Sequence, residues 1–450
     1  MKGDLTRGSP TAALLRFTLP ILLSMAFQQV YSISDSIIVG KFSADGEAAL
    51  AAVGASYPIT MVYIAIAVGC NAGCSVVMSR LFGSRRFGDL KTCASTSVLS
   101  AAVLSLVLTA VGIFFAEDFL LLLNTPENIL DDSVLYLKLF FIGFLLLFLY
   151  NIAMGIYTAV GDSVTPLVFL ISSSVANIVL NYIFVKYLHL DVFGVALASV
   201  ISQSAAGILS MVFMLVKLKG LKSGKYKLFS SKMLGSVASY AVPGILQQSF
   251  VSVGDLLIQG LVNTFGSSVI AGYSAAIKLN TFAVSSLATL GTGISGFTAQ
   301  NIGAGKLRRV KRGMSGGAVM ACIVGAIFTV SYFCFSDGLI SVFMAESDMS
   351  DAALSAGREF LRIASPFYIL AGAKLLCDGV LRGGGATAPF LGATVADLLF
   401  RVVLSYSLCA MIPSLEYRGI WIAVPAGWII ALAISATFVL NGAWKRGNAV

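Results

Sequence analysis

The sequence predicts an all-α membrane protein: twelve transmembrane helices in two parallel six-helix repeats with a central cleft. Three observations carry that expectation. The 450 residues are 58% hydrophobic and only 11% charged, with a mean hydropathy of +0.91, whereas a soluble domain carries about 25% charged residues. Apolar runs of the roughly 20 residues needed to cross a bilayer recur along the whole chain. The two halves of the chain also align with one another. So few charges cannot cover a water-facing surface, so most of the exterior must meet lipid.

Reading apolar runs between charged or Gly/Pro breaks gives the spans. The first half has them at roughly 13–40, 53–80, 93–115, 133–158, 163–187 and 193–217. The second half has them at roughly 236–262, 268–300, 312–335, 356–380, 386–411 and 418–442. The first run is too long for the core of a signal peptide and lacks a small-residue cleavage site, so it reads as a span.

The loops alternate in charge. Those on the side of the amino terminus hold 21 Lys and Arg, including Arg85, Arg86, six lysines between 217 and 232 and the cluster at 306–312. The opposite loops hold six, namely Lys41, Lys138, Lys186, Arg358, Arg362 and Arg418. The remaining three, Lys278, Lys374 and Arg401, lie within spans. An excess of Lys and Arg marks the cytoplasmic side. Both termini are therefore expected in the cytoplasm, which requires an even number of spans. The net charge of +9 reads as topology and not as a nucleic-acid surface.

The halves align at an offset of 223 residues: Pro20 falls on Pro243, Phe42 on Phe265, Gly161 on Gly384 and Pro166 on Pro389. Between these anchors the offset is 220, matching Ala51 with Ala271 and Gly83 with Gly303. Six helices per half give both halves the same orientation. The expected organisation is an amino-terminal lobe at 1–217, a basic cytoplasmic linker at 218–235 and a carboxy-terminal lobe at 236–450. Transporters built from such repeats hold substrate at the repeat interface and alternate access by rocking.

Several chemistries find no residues here. The seven cysteines fall mostly in apolar stretches, where a thiol behaves as a small hydrophobe. The single histidine, His189, lies in a short loop, and neither an HExxH nor a CxxC metal motif occurs. The run Gly383–Gly385 reads as a tight turn, because no Lys-Ser/Thr follows it as in a phosphate cradle. No metal, no cofactor and no enzymatic activity are expected.

Particular strings, in this order, carry a resemblance. They are Leu19-Pro20, Tyr31-Ser-Ile-Ser-Asp35-Ser-Ile-Ile-Val-Gly40, Ala49-Leu-Ala-Ala-Val-Gly54, Tyr157-Thr-Ala-Val-Gly-Asp-Ser-Val-Thr-Pro166, Asn177-Ile-Val-Leu-Asn181, Ala299-Gln-Asn-Ile-Gly-Ala-Gly305 and Val380-Leu-Arg-Gly383. Over its full length the chain resembles the multidrug and toxic compound extrusion (MATE) family, in particular its bacterial DinF-like branch. That resemblance implies export of organic cations and other drug-like compounds in exchange for protons or sodium ions. It further implies a bacterial inner-membrane location and a monomer. By the family pattern, an acid on helix 1, two polar residues on helix 5 and a hydroxyl on helix 6 couple transport to the ion. Those positions are Asp35, Asn177, Asn181 and Ser199. The second helix 5 position is often aspartate in the family, so Asn181 leaves Asp35 as the only acid of the group and weakens attraction for sodium. The acidic site of the NorM-like branch has no clear match, with Ala371 near its helix 10 position.

Ionisable groups within a bilayer are costly and usually functional. Four acids lie inside spans: Asp35, Asp255, Asp378 and Asp397. Asp35 sits about eight residues past the centre of helix 1, roughly 12 Å toward the outside. Asn177 and Asn181 are i, i+4 and share a helix face just outside the centre of helix 5. No Lys or Arg lies at the depth of Asp35, and an uncompensated carboxylate in lipid favours its neutral form, which makes it a candidate proton carrier. Asp255 and Lys278 lie at similar depth and are read as an ion pair or as substrate contacts. Asp397 and Arg401 are i, i+4 and read as a structural pair. Lys374 and Asp378 are also i, i+4, near the inner end of helix 10, where snorkelling explains much of the pair. The cleft candidates are Gln28, Gln29, Tyr31, Met61, Gln247, Gln248, Asp255, Lys278 and Asn280, since aromatic and polar groups suit flat cations. Pro20 removes one hydrogen bond of helix 1 and marks a hinge.

The expected function is a proton-coupled antiporter, with sodium as the alternative ion. A lipid-linked oligosaccharide flippase of the same superfamily is the first rival; more spans and a cationic cavity would mark it. A membrane-embedded enzyme and a channel are the others.

Overall fold

The computed structural model describes residues 3–42, 46–342 and 350–445, and no strand occurs among them. Among the described residues, twelve helices are long and apolar enough to cross a membrane. In the first half these are α1 Pro10–Phe42, α2 Gly46–Gly83, α3 Phe87–Phe114, α4 Glu127–Ala159, α5 Val164–Tyr187 and α6 Asp191–Lys219. In the second half they are α7 Ser231–Val262, α8 Ser267–Gly303, α9 Leu307–Cys334, α10 Asp351–Gly383, α11 Thr387–Met411 and α12 Arg418–Leu440. Short helices Ala116–Leu122 and Ser336–Ser341 follow α3 and α9. Every span read from the sequence is a helix here, with ends shifted by a few residues. An uninterrupted helix satisfies its own backbone groups, which lipid cannot do. Exposed Val103, Val107, Phe213, Val319 and Val403 give the spans apolar outer faces.

The spans α5 and α10 include turns other than regular α-helix. In α5 the last five residues, Ile183–Tyr187, form a π-helical turn. In α10 a 3₁₀ turn at Ser365–Phe367 separates Asp351–Ala364 from Tyr368–Gly383. Pro366 lies in that turn and has no N–H to continue the ladder.

The chain packs as two compact units. Unit 1 comprises Leu23–Ile245 with residues 3–4; unit 2 comprises Leu5–Leu22 and Leu246 onward. Thus α1 and α7 each contribute one part to each unit. The divisions, between Leu22 and Leu23 and between Ile245 and Leu246, are equivalent under the 223-residue offset. Each follows a proline inside the helix, Pro20 and Pro243.

Unit 1 is centred on α4, whose Phe141, Phe144 and Phe148 are fully buried. Tyr63 of α2 packs its ring 4.7 Å from Phe141 and 5.1 Å from Phe144, and its hydroxyl donates to the Leu108 carbonyl at 3.2 Å. The start of α7 lies so close to α2 that a Cβ on Gly73 would stand 2.6 Å from the Ala241 nitrogen. In unit 2 the backbones of α8 and α10 meet: a Cβ on Gly379 would stand 2.2 Å from the Gly291 carbonyl oxygen. Small residues permit such approaches, and packing of this kind holds helices together where lipid removes the hydrophobic drive. Tyr273 stacks on Trp421 at 5.1 Å, with Phe360 edge-on to the same indole at 5.1 Å. The segment before α1 is held in unit 2 by side chains of α8. Leu5 N–H donates to Gln300 Oε1 at 3.1 Å, and Asn301 Nδ2 donates to the Leu5 carbonyl at 3.3 Å.

Candidate functional site

Three of the four coupling candidates meet in unit 1. Asn181 Nδ2 donates to Asn177 Oδ1 at 2.8 Å, and Asn177 Nδ2 donates to Ser199 Oγ at 3.2 Å. The first bond follows from i, i+4 spacing on α5. The second joins α5 to α6. Asn177 and Asn181 are 1% and 0% exposed, a depth at which an amide needs partners. The π-helical turn begins two residues after Asn181; such turns are frequent at functional sites. The side chains of Asp35 and Tyr31 lie outside the described residues. The backbone of α1 is described through Phe42, so the register of Asp35 is known: one turn before Ile38. Ile38 is buried in an apolar cluster with Ala52, Ile129, Val185, Val192 and Val195, and Ile178 packs against it. Val185 is one turn beyond Asn181, and Val195 one turn before Ser199.

Unit 2 carries charge instead. Lys374 Nζ of α10 lies 3.0 Å from Asp378 Oδ2 on its own helix and 3.6 Å from Asp397 Oδ2 on α11. Ser435 Oγ of α12 donates to Asp378 Oδ1 at 2.5 Å. Arg401 Nη2 lies 3.3 Å from Asp255 Oδ1 of α7. Three expectations change. Asp255 pairs with Arg401 and not with Lys278, which is exposed on α8: equal depth on neighbouring helices does not fix which way a side chain points. Asp397 and Arg401, though i, i+4, each find their partner on another helix. Lys374 and Asp378 are 6% and 4% exposed, so the lysine does not snorkel. The carboxylates on either side hold its ammonium inside.

The cleft candidates are dispersed. Gln28 and Gln248 are exposed, while Gln29, Met61 and Gln247 are half-buried. Asn280 is buried within unit 2, where its Oδ1 accepts from Tyr368 Oη at 3.1 Å. Pro20 is half-buried inside α1.

The MatE family model matches this chain twice, at residues 20–183 and 243–407. Both matches begin at the paired prolines. The chain is 27% identical to "Probable multidrug resistance protein YpnP" of Bacillus subtilis, over 98% of this chain and 97% of that protein. It is 23% identical to "Multidrug export protein MepA" of Staphylococcus haemolyticus, over 90% of this chain and 89% of that one. Among solved structures it superposes with a TM-score of 0.92, at 21% identity and 99% coverage of both chains, on one titled "Outward-facing conformation of a multidrug resistance MATE family transporter of the MOP superfamily".

Proposed function

The chain belongs to the MatE family of multidrug efflux transporters, and from that premise we propose that it is a proton-coupled antiporter in which Asp35 carries the coupling proton. Multi-pass membrane insertion and movement of small organic substrates belong to the family reading. The exchange mode, the ion and the residues are the proposal.

The observation that carries it is the buried chain Asn181–Asn177–Ser199. Its members are all neutral and each can donate or accept. A neighbouring carboxyl that alternates between an accepting, ionised form and a donating, protonated form is accommodated in both states without a second buried charge. The register of Asp35, one turn from the Ile38 cluster that borders both helices of the chain, supports its assignment as that carboxyl. The substrates are small organic compounds, often cationic. The protein acts as a monomer in a bacterial inner membrane with both termini cytoplasmic, an orientation the loop charges support. The two halves rock about the linker 218–235 to alternate access. Division of α1 and α7 next to Pro20 and Pro243 supports those prolines as the points where the helices bend.

The test is ethidium efflux from cells or vesicles at matched expression. If one proton exchanges for one monovalent cation, no net charge moves. Efflux then survives collapse of the potential by valinomycin and potassium, but stops when nigericin removes the pH gradient. Asp35→Asn, which resembles the protonated form permanently, is expected to abolish pH-driven efflux while the protein remains folded and inserted. Normal proton-dependent efflux by this variant would sink the assignment.

A further inference from the structure

The second unit holds, within its spans, a cation sealed between two acids. The walls come from three helices. Lys374 and Asp378 stand on α10, Asp397 on α11 and Ser435 on α12. The side chains of Lys374, Asp378 and Asp397 are 7%, 5% and 14% exposed. The backbone of α12 closes over Asp397: a Cβ on Gly427 would stand 2.4 Å from its Oδ1. Among the described residues, Asp378 Oδ2 and Asp397 Oδ1 have no hydrogen-bond donor. The Lys374 ammonium stands 3.0 Å from Asp378 Oδ2 and 3.6 Å from Asp397 Oδ2, so one positive charge faces both carboxylates. The groups around it are two carboxylates and a hydroxyl, oxygen donors of the type hard cations take.

We propose that Lys374 is a tethered cation, filling the place between Asp378 and Asp397 that a free monovalent ion would otherwise take, and that it thereby keeps unit 2 from binding sodium. The physical argument has two parts. Two buried carboxylates that share one neighbour cannot both stay ionised without a positive charge between them. A charge carried on the chain supplies that need permanently, and unlike a free ion it cannot be released on either side of the membrane. Lys374 is in this sense a determinant of ion specificity, acting by exclusion. The surrounding charges do not displace it: Arg401 is engaged with Asp255, and Arg382, one turn beyond Asp378, reaches Thr292 Oγ1 at 3.3 Å. The inference deepens the proton-coupled reading, because it gives a reason for coupling to be confined to unit 1.

The test reads binding and not transport, so the two can fail separately. The full-length protein carrying Asp35→Asn is placed in nanodiscs at pH 8. Amide exchange of α10 and α11 is compared in sodium chloride and in N-methyl-D-glucamine chloride at equal ionic strength. The Asp35→Asn parent and a Lys374→Arg derivative are expected to be indifferent to the replacement. Lys374→Met is expected to exchange about tenfold more slowly in sodium, the factor set by an ion present at about ten times its Kd. Adding Asp378→Asn should cancel that response. Lys374→Gln, which keeps a polar side chain of similar length, carries the same expectation where the methionine variant does not fold. The proposal is overturned if the parent itself shows a sodium response that Asp378→Asn removes, or if a folded Lys374→Met or Lys374→Gln protein ignores sodium. Failure of the Asp35 assignment would instead appear as transport by Asp35→Asn alone, with these binding results unchanged.

Discussion

Units 1 and 2 descend from one repeat, yet they treat polarity inside the membrane in opposite ways. Unit 1 builds its buried polar group from neutral side chains, Asn177, Asn181 and Ser199. Unit 2 pairs Asp255, Asp378 and Asp397 with Lys374 and Arg401, within α10 and across helices. A neutral chain tolerates a neighbouring acid in either protonation state. A set of ion pairs tolerates only one. Equivalent frameworks can thus host a group that titrates and a group that stays fixed, and the difference lies in a few side chains and not in the helices.

The largest expected effect breaks unit 2. Lys374→Ala leaves two buried carboxylates facing each other, and removal of one partner of a buried pair costs about 3–5 kcal/mol. The matching cut in unit 1, Asn177→Ala, leaves the Asn181 amide and the Ser199 hydroxyl short of a partner, at about 1–3 kcal/mol. Denaturation midpoints measured in the same detergent should show the first variant clearly less stable than the second. Equal losses would mean that the charges of unit 2 are solvated in a way their burial does not suggest.

Much of this contrast was legible in the sequence, and the reason for the rest is physical. Hydropathy marks spans because lipid admits only self-satisfied helices, so all twelve were readable. The repeat was readable because Pro20 and Pro243, or Gly161 and Gly384, sit at fixed positions. Spacing of i, i+4 put Asn177 and Asn181 on one helix face, where the structure has them hydrogen-bonded. The same rule misled at Asp397 and Arg401, whose partners stand on α10 and α7. Sequence spacing carries no information on how neighbouring helices are rotated about their axes. Nor does hydropathy reveal that α1 and α7 are each divided between the units, because a helix looks the same to lipid whichever neighbours it packs against. Asp35, the acid proposed for unit 1, was picked out by its type and depth together with the family resemblance.

A change of function sharpens the comparison next. Asn181→Asp adds a second carboxylate to the neutral chain. It would couple with Asp35, so that the pair loses its protons in two steps, and attraction for sodium would rise. Efflux by Asn181→Asp should respond to a sodium gradient to which the parent is indifferent, by a few-fold in initial rate. If the variant remains driven by the pH gradient alone, residue 181 does not belong to the ion site, and the neutrality of unit 1 has another cause.

The smallest expected effect lies in a turn whose counterpart in the other repeat lacks an acid. Asp162 follows Gly161 between α4 and α5 and caps the next helix: its Oδ1 accepts from Val164 N–H at 3.2 Å and Thr165 N–H at 3.1 Å, and its Oδ2 from Thr165 Oγ1 at 2.6 Å. Lys217 of α6 forms an ion pair with the same carboxylate. The equivalent residue under the 223-residue offset is Gly385, at φ +76°, which offers no cap. Burial pushes the Asp162 carboxyl upward, but the hydrogen bonds and charge of Lys217 and Thr165 outweigh it and leave it below the ordinary carboxylate value. A group depressed on folding stabilises the protein above its unfolded value, near pH 4, and loses that contribution as pH falls through its folded one. The α4–α5 turn should therefore be indifferent to pH between about 5 and 8 and loosen only in stronger acid, while the α10–α11 turn shows no such transition. Asp162→Ala should cost about 1 kcal/mol, the usual worth of a cap. Protection of residues 161–168, referenced to the intrinsic exchange rate at each pH, measures both. An acid transition that persists in Asp162→Ala would assign it to another group.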